Sequence, residues 1–215
     1  LVKWAVPCFI MITGTLLLNP EKNISENKIK KYIVRMVLVL ATFGVIYALM
    51  ELVFSEKTFR VIFIFHAVIN TLQGKSWSHM WYVYLLIGLY LMTIPLRKIV
   101  VSCTQNEIER ILALLVVGNF VIPSINYAFG MKFETYMLVS EYITYYLAGY
   151  YISITHRRIS YKKIALILVA ATGFLVISET MSLILTHESF GLNHQTQNIF
   201  TFVMATSVFI LVKQL

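Results

Sequence analysis

Aspartate is absent from this chain, and charged residues of all kinds make up only 13% of its 215 positions. A soluble domain needs about a quarter of its residues charged to hydrate its surface, so the deficit excludes an ordinary water-facing protein. Cysteine is scarce as well. Cys8 and Cys103 stand far apart and fall on different sides of the topology derived below, which excludes a disulfide framework. There is no Cys-x-x-Cys pair, Gly-x-Ser-x-Gly elbow or Walker glycine loop, so serine hydrolysis and ATP-driven transport gain no support from motifs. His66, His187 and His194 have no companions at metal-ligand spacing, and no metal is expected.

What is present is apolar: 59% of residues are hydrophobic and mean hydropathy is +0.76. A transmembrane helix needs about 20 apolar residues, with some latitude for tilt and snorkelling. Seven segments qualify, at residues 2–18, 32–54, 80–96, 109–130, 135–154, 164–186 and 196–213. An eighth, Val61 to Leu72, is too short to cross and carries His66 and Asn70, so it is expected as a re-entrant or surface-lying helix. The fold expected is an all-α polytopic transmembrane helix bundle, forming a single domain over residues 1–215.

The apolar run after Lys3 is not read as a signal peptide. It lacks a small-x-small cleavage pattern and meets Asn19-Pro20-Glu21-Lys22, a helix stop followed by charge. A chain that opens on Leu1 and enters a span at once is expected to have lost a preceding span.

The net charge of +8 raises nucleic acid as a partner, but the cations lie between apolar runs and form no continuous face, so none is expected. Topology accounts for them instead. With Lys22, Lys28, Lys30, Lys31 and Arg35 placed in the cytoplasm, 13 of the 18 cations fall inside and 5 outside, as the positive-inside rule requires. Trp4, Trp77 and Trp81 then lie at the outer interface, where an indole buries its ring and hydrates its N–H.

Ionisable groups within spans cost about 2.5–3.5 kcal/mol on insertion scales and are functional candidates by default. Glu51, Glu141 and Glu179 all fall in outer halves, with His79 and Asn126 also toward the outer side. This distribution implies a hydrated cavity open outward. Glu51 is close enough to a span end to snorkel. Glu141 has Tyr145 one turn away on its face, beside a stripe of Tyr142, Tyr146 and Tyr150, which reads either as an acceptor-binding wall or as helix-packing surface.

Three stretches, taken together, resemble the acyltransferase 3 family of integral membrane enzymes, which acylate hydroxyl groups of carbohydrates and other cell-envelope molecules. Val6-Pro7-Cys8-Phe9 leading to Thr13-Gly14 is similar to the family's second span, with Thr13 where the family has serine. Lys28 to Arg35 occupies the place of an arginine-rich cytoplasmic run. His79-Met80-Trp81-Tyr82, followed by Gly88-Leu89-Tyr90-Leu91 and the Pro95-Leu96-Arg97 exit, resembles the family's His-Leu-Trp-Phe span. Tyr145 to Tyr151 is a fainter echo of a later Gly-Tyr-Tyr span.

The resemblance implies acyl transfer from acyl-CoA, expected to be acetyl-CoA and not tightly bound, to an acceptor hydroxyl near the outer face of a bacterial cytoplasmic membrane. It implies a principal catalytic histidine, with an arginine before it, in a span upstream of Leu1. His79 and Glu141 are then expected to assist, and Trp81, Tyr145 and Glu179 to meet the acceptor. Lys28, Lys31 and Arg35, spaced i, i+3, i+7, share a helical face suited to the donor phosphates, though lysine lacks the bidentate fork of arginine. The competing readings are a transporter or flippase of a small solute or lipid-linked sugar, which predicts broken helices and an inverted repeat, and a non-catalytic scaffold. Pro123 is the strongest interior break in any span.

Overall fold

Each apolar run read from the sequence forms a helix. The computed structural model describes residues 4–22, 24–76, 80–131, 133, 139–155, 158–186 and 198–214, and among them there is no strand. Helices α1 (Ala5–Leu18), α2 (Glu26–Val39), α3 (Val45–Glu56), α4 (Ile62–Leu72) and α5 (Trp81–Ser102) are followed by α6 (Gln105–Val116) and α7 (Ile122–Phe129). The chain continues through α8 (Glu141–Ile154), α9 (Tyr161–Thr186) and α10 (Ile199–Gln214). Among the described residues, four helical stretches are long and apolar enough to cross a bilayer: Glu26–Glu56, Trp81–Ser102, Gln105–Phe129 and Tyr161–Ile184. Shorter apolar helices accompany them, so the molecule is an all-α membrane helix bundle.

Local chemistry sets the helix ends. Ser25 caps α2 by accepting from the Lys28 N–H, and Thr104 and Glu107 form a reciprocal capping box on α6. Lys57 and Gly130 close α3 and α7 in the left-handed region, at φ 52° and 63°. Two spans contain a π turn, Leu40–Gly44 between α2 and α3 and Val117–Val121 between α6 and α7, through which each remains helical. Pro123 follows the second π turn at the first positions of α7, where its missing N–H costs least, and the span continues past it. The third span outruns its expected end: α5 passes through Pro95 and stops only at Ser102, because apolar residues follow the Arg97-Lys98 pair.

The chain divides into two compact units, residues 1–22 with 99–215 and residues 23–98. In the first, Glu109 meets Tyr151 and Asn119 meets Thr144, so α8 runs antiparallel to the α6–α7 span. Tyr145 packs on Phe202 and Lys213 reaches the Thr155 carbonyl, so α8 and α10 run in the same sense. Phe174 stacks on Phe200 and Tyr161 donates to Gln214, which makes α9 antiparallel to α10. This alternation is the one that the loops of the sequence imply. The core of the unit is the packing of α8 on α1. A Cβ at Gly14 would collide with the Tyr146 carbonyl, and one at Gly149 with Met11, so two missing side chains let the backbones touch. The Thr15 hydroxyl then donates across the crossing to the Gly149 carbonyl at 2.9 Å.

In the second unit, α4 is an 11-residue helix, about 16 Å long at 1.5 Å per residue and well short of the bilayer core. It packs against α3. Ser76 donates to the Gly44 carbonyl in the π turn, and Tyr84 of α5 donates to the Thr71 carbonyl. Outward faces carry Phe54, Leu72, Leu166, Val169 and Ile177, all more than 60% exposed, a surface suited to lipid contact.

Candidate functional site

The residues expected to hold donor phosphates begin α2. Lys28, Lys31 and Arg35 share one side of the helix and are all exposed, while Ile29 on another side is buried. Trp81 opens α5 in the same unit, 42% exposed and edge-on to Tyr82 at 6.0 Å. His79 lies outside the described residues, as do Trp77, His187 and His194.

The remaining candidates belong to the first unit. Glu141 stands in the first turn of α8 behind the Ser140 cap, and residues 135–138 of the span expected there lie outside the described residues. The positive end of the helix dipole favours a carboxylate at that position, and the Ser140 hydroxyl donates to its Oε2 at 3.2 Å. Tyr145, one turn on, is wholly buried between Phe120 and Phe202, at ring distances of 5.1 and 5.4 Å. Its hydroxyl has no hydrogen-bond partner among the described residues, at a typical cost of about 1–3 kcal/mol for an unsatisfied buried group. Tyr146 and Tyr150 are buried too, so this part of the tyrosine stripe is helix-packing surface in the described unit. Glu179 is half-buried late in α9. His66 and Glu51 are exposed, and Asn126 closes a turn with the backbone of Phe133 at 2.7 and 3.0 Å. Both cysteines are free, and no three metal-ligating side chains gather among the described residues.

Two polar arrangements escaped the sequence reading. Asn119, buried in the second π turn, donates to the Thr144 hydroxyl at 3.0 Å and to the Val139 carbonyl at 3.1 Å. Its partners lie 20 and 25 residues away, so no local pattern marks it. The other is a cleft of about 720 Å³ where α6 begins, α8 ends, α9 begins and α10 ends. There the Tyr151 hydroxyl donates to Glu109 at 2.7 Å, and the Lys213 ammonium donates to the carbonyls of Ile152 and Thr155 at the end of α8. Arg158, Ser160 and Tyr161 complete its polar wall. The excess of cations in the loops around this end was legible, but their convergence on a cavity was not.

A bundle of apolar helices with scattered carboxylates and hydroxyls near helix ends can hold an acyl-transfer site, but the geometry alone does not name one. Comparison with curated proteins and with solved structures yields no match to this chain. A family model described as an acyltransferase domain matches residues 1–215, the full length given. The chain therefore belongs to the acyltransferase 3 family and is a multi-pass membrane acyltransferase.

Proposed function

We propose that the protein transfers an acetyl group from acetyl-CoA to a hydroxyl of a carbohydrate or other cell-envelope acceptor, in a bacterial cytoplasmic membrane. The family match over residues 1–215 is the observation that carries this reading. The cation-rich ends of the spans, among them Lys28, Lys31 and Arg35, face the cytoplasm and attract the phosphates of the donor. Acceptor binding falls to the opposite ends, with Trp81, Tyr145 and Glu179. The Tyr145 hydroxyl, without a hydrogen-bond partner among the described residues, supports a role in hydrogen bonding.

In the reaction, a base takes the proton of the acceptor hydroxyl as its oxygen attacks the thioester carbonyl. The tetrahedral oxyanion is held by hydrogen-bond donors and collapses, breaking the C–S bond. The departing thiolate takes a proton and leaves as coenzyme A. The principal base is the histidine that the family carries in a span before the segment matching Leu1. Glu141 assists by holding that imidazole or the acceptor, and His79 acts as a hydrogen-bonding or orienting group.

The test is acetyl transfer by the full-length protein in membranes, followed by thiol release from acetyl-CoA and by mass gain on extracted envelope glycans. Glu141→Gln is expected to lower turnover about tenfold, or about 1.4 kcal/mol of activation free energy, with the protein still folded and inserted. Unchanged turnover removes Glu141 from the mechanism. Absence of any acetyl-CoA-dependent product in the wild type removes the donor assignment.

A further inference from the structure

The cleft where α6, α8, α9 and α10 end has a composition that none of the residues named from the sequence explains. Its volume of about 720 Å³ lies within the roughly 300–1,000 Å³ of small-molecule sites. Its acidic group, Glu109, already accepts from the Tyr151 hydroxyl. Lys213 has three N–H donors; two serve the Ile152 and Thr155 carbonyls, and the third meets no acceptor among the described residues. Arg158 is exposed in the short link before α9 and lines the same cavity. Ser160 and Tyr161 stand at the start of α9, a 26-residue helix whose first-turn N–H groups have no intrahelical carbonyls to meet and whose dipole is positive there. Lys162 and Lys163 extend the positive charge along that exposed first turn.

A concavity, two cations and a helix N-terminus together form a receptor for anionic oxygen. Lys28, Lys31 and Arg35 do not line this cleft. We propose that this cleft binds the phosphate groups of an anionic ligand, with Arg158 and Lys213 as its cationic contacts. On the acyl-CoA reading above, on which this identification of the ligand rests, those phosphates belong to the nucleotide part of the donor. An anionic phospholipid headgroup offers the same chemistry from the membrane.

The experiment uses the full-length protein in nanodiscs. Coenzyme A affinity is measured by calorimetry in phosphatidylcholine discs, and retention of phosphatidylglycerol from mixed discs by native mass spectrometry. Arg158→Glu is expected to weaken coenzyme A binding at least tenfold without changing the melting temperature. Arg158→Lys should recover most of the affinity, and Arg60→Glu, which makes the same charge change elsewhere, should leave it within twofold. Weaker coenzyme A binding assigns the cleft to the donor. Unchanged coenzyme A affinity with loss of phosphatidylglycerol retention assigns it to a headgroup. No change in either, or an equal loss with Arg60→Glu, overturns the proposal. A wild type that binds no coenzyme A removes the acyl-CoA reading, and the cleft is then decided by the lipid arm alone.

Discussion

Gly14 and Gly149 matter through what they omit. Each was visible in the sequence as part of a motif, Thr13-Gly14 in one span and Ala148-Gly149-Tyr150 in another, yet nothing local showed that the two meet. In the bundle they let α1 and α8 approach until backbone touches backbone. Lipid tails are as apolar as leucine, so close packing rather than the hydrophobic effect holds such a crossing. Gly149→Leu is expected to destabilise by at least the ~1–3 kcal/mol of an overpacked core, because the atoms it meets are backbone and cannot rotate away. Gly88→Ala is the matched control, since a Cβ there meets nothing within 4 Å, and it should be neutral or stabilising by up to about 1 kcal/mol. Thermal unfolding in detergent compares the two, and equal melting temperatures would remove the crossing from the account of stability.

At the level of elements, hydropathy located the helices but not the residues that start them. Ser25, Thr104 and Ser140 carry capping chemistry and open α2, α6 and α8 at Glu26, Gln105 and Glu141, whereas the apolar runs were read from residues 32, 109 and 135. Thr104→Ala removes the acceptor for the Glu107 N–H and the hydroxyl that donates to its carboxylate, and leaves only the backbone N–H of residue 104 donating to that carboxylate. It should cost about 0.5–2 kcal/mol, read as faster hydrogen exchange confined to the first turn of α6. Uniform exchange along α6 would show that tertiary packing, not the cap, holds that end. The interiors gave less away. The two π turns interrupt otherwise apolar runs: the first offers the Gly44 carbonyl to Ser76, and the second carries Asn119 buried against Thr144. A local insertion of this kind leaves no hydropathy signal.

On the scale of the whole molecule, the distribution of cations makes a claim about sidedness. Cys103 lies between Lys98 and Arg110, both assigned to the cytoplasm, and is a partly exposed free thiol. A membrane-impermeant maleimide should label it in inverted vesicles and spare it in intact cells. Labelling from outside would reverse the topology and, with it, the side from which a soluble donor arrives. Cys8, half-buried within the apolar helix α1 with its thiol directed to the Ala205 carbonyl, is expected to label more slowly than Cys103 from either side.

The amino-acid sequence by itself determined that the chain is a helical membrane protein, where its helices lie and how they alternate. A bilayer offers the backbone no hydrogen bonds, so each crossing must be a self-satisfied helix of apolar residues, and that demand is written into composition. Family membership was legible for a related reason, through short motifs whose order and spacing persist even though each is degenerate. Only the tertiary structure decided which residues meet. Tyr145 and Tyr146, readable from the sequence as acceptor wall or as packing surface, lie in the core, Asn119 finds Thr144, and Glu109, Tyr151, Arg158 and Lys213 converge on one cleft. Those contacts join helices 20 to more than 100 residues apart. Steric fit between helices selects them, and hydropathy carries no record of that fit.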